Sequence, residues 1–218
     1  MFSFSEENYL KAIFHLERTY KSGVSTNALA EEMDSKASSV TDMIKRLSEK
    51  KLVNYKKYQG VRLSEEGKQA AIEVIRKHRL WEVFLVEKLD FTWDEVHEVA
   101  EQLEHIKSEK LTRELDRFLE YPKRDPHGDP IPDADGNFTV SNQLLLAQLD
   151  KGQRGVCMGV KDSSAEFLRY LDKNGIALGK EILVKDKESF DQSMLIEIDG
   201  EELRISNVIS SNLYLKTT

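Results

Sequence analysis

The sequence holds one cysteine, Cys157, in 218 residues, which excludes an intrachain disulfide and any CxxC zinc site. It has no apolar run near the roughly 20 residues that a bilayer-spanning helix needs. The opening residues, Met-Phe-Ser-Phe-Ser-Glu-Glu, carry neither the basic segment nor the apolar core of a secretory leader, so a cytoplasmic protein without membrane contact is expected. Proline is scarce, and all four residues fall in one turn-rich stretch, 122–138. There is no P-loop and no G-x-G-x-x-G. The nearest approach to a zinc-peptidase H-E-x-x-H is His97-Glu98-x-x-Glu101, which ends in the wrong residue. A di-iron bundle is excluded too, because Gln102 stands where its one Glu-x-x-His motif would begin. An enzyme, and a metallohydrolase in particular, is therefore not expected.

What is present suits a soluble globular chain, with 39% hydrophobic and 33% charged residues. Its length allows one large domain or two to three small ones. The net charge of −7 argues against a uniformly basic nucleic-acid binder. The charge is uneven, however. Residues 1–76 hold 13 basic and 11 acidic side chains, and the remainder 19 and 28. Between Lys36 and Arg62 there are 8 basic side chains and 2 acidic ones, an excess suited to a phosphate backbone.

Apolar spacing at Leu10, Ile13, Phe14 and Leu16 predicts a helix over 5–20 with Ser5 as N-cap. A short helix over 24–33 opens at Ser25 or Thr26. A third, capped by Asp34 or Ser35, repeats Val40, Met43, Ile44 and Leu47 through to Lys51. The period then changes, and Leu52 to Leu63 reads as two short strands around a turn at Gln59-Gly60. Three helices and a basic hairpin spell a winged helix-turn-helix over residues 1–63, whose third helix enters the major groove of double-stranded DNA. Lys36, Ser38, Ser39, Thr41 and Asp42 then stand at base-edge positions, Lys45 and Arg46 at phosphate positions, and Lys56, Lys57 and Tyr58 on the hairpin. Charge clusters are most often plain solvated surface; here the basic residues sit on the elements that meet DNA.

Ser64 with Glu65 and Glu66 opens a helix whose apolar pattern runs to about Leu89. Thr92-Trp-Asp-Glu95 reads as a capping box, which predicts a helix containing His97 through His105. A further helix, Ser108 to Tyr121, offers Leu111, Leu115, Phe118 and Leu119 as the face of a homodimer that would match a pseudo-palindromic operator. After the turn-rich linker, strands are expected at 154–160, 181–185, 193–198, 202–205 and 212–215, with a helix over 165–173. The expected fold is mainly α with a small β domain. It comprises the winged helix (1–63), a helical metal-binding and dimerisation domain with the linker (64–138), and an SH3-like β-barrel (139–218).

On one helix, His97, Glu101, Glu104 and His105 share a face, while His78 and Glu82 are four apart on the helix before. A lone histidine or glutamate is most often structural or solvated. Carboxylates gathered with imidazoles, in contrast, repel one another unless a cation lies between them, so a divalent-metal site is expected. Without thiolates the set favours Mn(II), with Fe(II) as alternative, although affinity alone would let Zn(II) bind in vitro.

The order of these elements, with Lys77-His78-Arg79-Leu80 before Glu82, the His97–His105 block, and Pro126-His127-Gly128 before Ile131-Pro132, resembles the diphtheria toxin repressor family of metal-dependent regulators. The resemblance covers essentially the whole chain. It implies a transcriptional regulator, in the manner of a repressor of metal-uptake genes, ending in an SH3-like domain of the FeoA kind. Glu101 resembles the manganese-responsive branch, where iron-responsive members carry cysteine. The implied primary site is His78, Glu101, Glu104 and His105, with a first-helix ligand at Asn8 or the adjacent Glu7. Lys11 replaces a glutamate of some short manganese regulators and departs from their two-ion cluster. The implied secondary site is Glu82, His97, Asp125, His127, Asp162 and Glu166, with Asp125 in place of a cysteine. The reading that competes with this one is a metal-independent winged-helix repressor whose β domain takes a ligand or protein.

Overall fold

A computed structural model describes residues 2–56, 59–139 and 143–217. The hairpin residues Lys57 and Tyr58 lie outside them. The chain divides into two compact units. The first comprises Met1–His78, Glu101–Thr112 and Pro132–Asn137, the second Arg79–Ala100, Arg113–Ile131 and Phe138–Thr218.

The first unit begins with α1 (Phe4–Glu17), capped by Ser3 rather than by the expected Ser5. The Ser3 hydroxyl accepts from the Glu6 amide and the Glu6 carboxylate accepts from the Ser3 amide. This reciprocal pair needs an acid three residues after the cap, and Ser5 has Asn8 there. Ser25 caps α2 (Thr26–Glu32). The expected caps of the third helix instead close the second. Asp34 is left-handed at φ 41°, and the Ser35 amide donates to the Ala30 carbonyl, so α3 (Ala37–Glu49) begins after Lys36 with no side-chain cap.

The wing is β1 (Val53–Lys56) paired antiparallel with β2 (Gly60–Leu63), and Val61 also bridges to Val24. Leu10 and Ile13 of α1, Leu29 of α2, Val40, Ile44 and Leu47 of α3, and Val61 form one buried core. The spacing of the α3 residues turns that helix's opposite face outward.

The helix α4 (Glu65–Leu89) runs 25 residues and contributes to both units. Ser64 accepts from the Gly67 amide. A Cβ on Gly67 would stand 1.9 Å from the Leu52 carbonyl oxygen, so only glycine lets α4 start against the wing.

The helix α5 is shorter than expected, Val96–Leu103, because only half of the capping box forms. The Thr92 amide donates to Glu95, but the Thr92 hydroxyl turns to Asp94, and residues 93–95 make a turn. At its other end Glu104 and His105 lie in a turn just past the helix rather than on its face. In α6 (Glu109–Phe118), Leu115 is buried, as is Leu119 just beyond it. Both join Leu80, Val83 and Ile131 in a core of the second unit, leaving Phe118 exposed. These two leucines thus leave the expected dimer face.

The rest of the second unit is β3 (Leu144–Leu145), a 3-10 turn, β4 (Arg154–Val160), α7 (Ala165–Lys173), β5 (Glu181–Lys187), β6 (Met194–Ile198), β7 (Glu201–Ile205), α8 (Asn207–Ser210) and β8 (Leu213–Thr217). The strands form one antiparallel sheet in the order β3-β8-β4-β5-β6-β7, with register shifts at Cys157/Gly159 and Val184/Asp186. It is SH3-like, but β3 and β7 do not pair among the described residues, so the barrel is open. Alternating inward residues, including Ile182, Val184, Ile196 and Leu215, close a core on Leu168 and Leu171 of α7. Cys157 is buried in that core, and burial pushes its thiol up to about 11.

Candidate metal centre and nucleic-acid interface

Glu104 is the centre of a cluster in the first unit, and it is fully buried. Its Oε2 lies 2.5 Å from His78 Nδ1. Lys11 Nζ donates to both of its oxygens, at 2.7 and 2.9 Å, and lies 3.3 Å from Glu101. His105 Nε2 stands 3.8 Å from Glu104 Oε1, and His105 Nδ1 is 2.6 Å from Glu7 Oε2. Phe4 stacks on the His105 ring at 4.6 Å, which fixes its plane. Burial works to raise the Glu104 carboxyl, but His78 and Lys11 outweigh it and hold the group below its usual range.

The cluster thus gathers residues from α1, α4 and the end of α5. Glu101 sits at its solvent side. The expected primary set of His78, Glu101, Glu104, His105 and Glu7 shares the first unit. The Asn8 Oδ1 atom is buried there and has no hydrogen-bond partner among the described residues. An unsatisfied buried acceptor costs about 1–3 kcal/mol, so its retention marks a place where something else would satisfy it. Carboxylate, amide and imidazole donors without a thiolate fit a divalent ion of the Mn(II) or Fe(II) kind.

Lys11 is the residue whose direct hold on Glu104 the sequence did not disclose, since 93 positions separate the two. The available signal was its position four residues after Glu7 and three after Asn8, on one side of α1.

A second group lies in the second unit. Oxygen and nitrogen atoms of Glu82, Asp125 and His127 fall within 4.8 Å of one another, and all three residues are buried. Glu82 Oε1 is 3.6 Å from His127 Nδ1 and 3.5 Å from Nδ1 of the half-exposed His97. The Trp93 carbonyl accepts from His127 Nε2 at 2.7 Å, and the indole stacks on the imidazole. Asp125 Oδ1 accepts from the amides of His127 and Asp129, and Arg79 Nε lies 3.4 Å from its Oδ2.

Burial, reinforced by Glu82 and Asp129, raises the Asp125 carboxyl to about 7. For His127, burial opposes the charged ring, but Glu82 and Asp125 more than offset it and push the imidazole up to about 9. The expected ligands Asp162 and Glu166 are not in this group. Asp162 instead accepts from the Ser164 amide, and Glu166 is exposed in the first turn of α7. Arg79 and Trp93 are neighbours of this group that the sequence pattern does not indicate. The signal for Arg79 was its place beside His78 in Lys77-His78-Arg79-Leu80.

Of the expected DNA-contacting residues, Lys36, Ser38, Ser39, Asp42, Lys45 and Arg46 are exposed along the outer side of α3 and its start, and Lys56 is exposed on the wing. Lys45 pairs with Asp42 at 3.2 Å. Thr41 is half-buried, and its hydroxyl donates to the Ala37 carbonyl.

Three family models match the chain. They are the iron dependent repressor N-terminal DNA binding domain over residues 1–61, the iron dependent repressor metal binding and dimerisation domain over 64–133, and the FeoA domain over 144–217. The iron-dependent repressor IdeR of Mycobacterium tuberculosis is 35% identical over 126 residues, 58% of this chain and 54% of that protein. The chain thus spans about half the length of the curated iron-dependent repressors it matches. Among solved structures, a manganese-dependent transcriptional repressor in complex with manganese is similar at TM-score 0.85 and 33% identity, covering 98% of this chain and 100% of that one. The manganese regulator SloR is similar at TM-score 0.77 and 34% identity, covering 98% of both chains.

Proposed function

This chain belongs to the diphtheria toxin repressor family of metal-dependent regulators, and from that premise we propose that it represses transcription when a divalent ion is held at the Glu104 cluster. His78, Glu101, Glu104 and His105, with Glu7 and the Asn8 carbonyl from α1, would hold the ion. The observation that carries this reading is the buried Asn8 Oδ1, without a hydrogen-bond partner among the described residues, on the same helix as Glu7. When bound, the ion supplies the positive charge that lets these carboxylates share one place. Mn(II) suits the oxygen-rich donor set best, Fe(II) is the second choice, and Zn(II) would bind in vitro.

The chain's own residues link that site to DNA. Glu7 and Asn8 stand on α1, whose Leu10 and Ile13 lie in the same core as Val40, Ile44 and Leu47 of α3. Donors on α1 thus bias the placement of the recognition helix, provided that the ion has unequal affinity for the two arrangements. The exposed side of α3 and the wing then meet an operator through Lys36, Ser38, Ser39, Asp42, Lys45, Arg46 and Lys56. A homodimer would present two such helices to a pseudo-palindrome.

The functional division we adopt is a winged helix at 1–63, a metal-binding and dimerisation domain at 64–138, and an SH3-like domain at 139–218, acting in the cytoplasm. Glu82, His97, Asp125 and His127 would form an ancillary site. One observation favours the competing metal-independent repressor: Lys11 donates to both oxygens of Glu104 and can neutralise it by itself.

The test uses a duplex selected by the protein from a random-sequence pool with Mn²⁺ present. Affinity for it, read by fluorescence anisotropy, should fall at least tenfold in excess chelator, and Glu104→Gln should lose the metal response. Equal affinity with and without chelator would favour the metal-independent reading.

A further inference from the structure

The Lys11 ammonium is not a peripheral surface charge. It donates to both oxygens of a fully buried carboxylate and also reaches Glu101, while its own side chain is 15% exposed. A buried carboxylate must be compensated, and the chain itself supplies the Lys11 ammonium at both oxygens and a hydrogen bond with His78. A divalent ion on Glu104 would meet the ammonium at the same oxygens. Sharing them would place like charges a few ångströms apart inside a poorly solvated cluster, where the repulsion is strong. Vacating them would give up the Lys11–Glu104 pair. Either way the lysine subtracts from the free energy of ion binding.

We propose that Lys11 is a tethered cation that competes with the divalent ion for Glu104 and so raises the metal concentration at which this regulator responds. The inference rests on the proposed metal binding at this cluster. It accounts for two features together. A fully buried glutamate has a neutralising partner on the chain itself, and that pair joins α1 to the turn after α5 within the first unit. A buried ion pair with only a structural role would explain both features, and what distinguishes competition is the defined direction of its effect on metal affinity.

The experiment is calorimetric titration of the full-length protein with Mn²⁺, comparing the wild type with Lys11→Met, Lys11→Gln and Lys11→Arg. Lys11→Gln keeps a hydrogen-bond donor for Glu104 while removing the charge, so it serves if the methionine variant folds poorly. Both neutral variants should bind Mn²⁺ about tenfold or more tightly than the wild type, from the order of magnitude of a partly buried like-charge contact. Lys11→Arg should stay near the wild-type value. In parallel, the neutral variants should melt lower than the wild type without metal and regain that loss at saturating Mn²⁺. Wild-type binding with unchanged or weaker binding in both neutral variants overturns the role of Lys11 and leaves the metal site standing. Absence of Mn²⁺ uptake by every protein, the wild type included, overturns the metal site and the competition with it.

Discussion

Replacing Glu104 with glutamine changes one charge at the point where His78 and Lys11 converge. The side chain is fully buried, 2.5 Å from His78 Nδ1 and 2.7 and 2.9 Å from Lys11 Nζ. An amide of the same shape keeps one acceptor but turns a donor toward a group that itself donates. Breaking a buried ion pair costs about 3–5 kcal/mol, and the partial exposure of Lys11, which lets it move toward water, places this case near 3. For a chain of this length that lowers the metal-free melting temperature by about 6–12 °C. The metal response separates binding from folding. At an Mn²⁺ concentration 100 times the wild-type Kd, the wild type gains about 2.7 kcal/mol, a rise of about 5–11 °C. Loss of one charged ligand should weaken the ion by about 100-fold or more, since even an outer-shell partner is worth about 10–100-fold. The variant then gains about 0.4 kcal/mol, or roughly 1 °C. Thermal unfolding with and without Mn²⁺ reads both effects. A folded variant with an undiminished Mn²⁺ rise would refute the assignment of Glu104 as a ligand.

Arg46→Ala, on the exposed side of α3, should weaken DNA binding similarly across sequences and reduce the slope of log affinity against log salt by about one; an unchanged slope removes Arg46 from the interface. The group in the second unit should make the metal-free protein less stable as pH rises. His127, raised from 6.5 to about 9, contributes stability that is complete below 6.5 and lost through about 9, and Asp125, raised from 3.8 to about 7, erodes stability across that lower window. Melting temperature followed from pH 6.5 to 9 should fall in the wild type and fall less in His127→Gln, whereas parallel profiles contradict the assignment. Gly128 has φ 87°, and a Cβ there would stand 2.1 Å from the Met158 carbonyl oxygen, so Gly128→Ala should cost about 2 kcal/mol or more in urea unfolding. Gly152→Ala, at φ 86° in open space, is the milder control, and equal costs would show that the close approach does not matter.

Elements governed by local chemistry were legible in the sequence. The length of α4 and the Ser64 cap follow from apolar period and capping, and the wing, α7 and most strands of the β sheet follow from pattern and turn residues. Where two local solutions compete, the sequence misled. Thr92 spends its hydroxyl on Asp94, which shortens α5, and Asp34 and Ser35 close one helix instead of opening the next. The two-residue β3 and the single turn of α8 are too short to show a period.

A split of the His97–His105 block between two sites is implied by its resemblance to a known family and by no local pattern. The hold of Lys11 on Glu104 is not legible, because it joins residues far apart in the chain through the fold itself. Nor does the sequence reveal that Asp162 turns to the Ser164 amide and that Glu166 stays exposed, outside the group of Glu82, Asp125 and His127.

An ion at the Glu104 cluster and DNA at α3 and the wing are linked in the proposed mechanism, and thermodynamic linkage is reciprocal. The direct measurement is therefore the Mn²⁺ affinity of the full-length protein with and without saturating selected duplex. It should tighten by the same factor by which Mn²⁺ tightens the duplex, at least tenfold. An Mn²⁺ affinity that is indifferent to DNA would exclude that linkage.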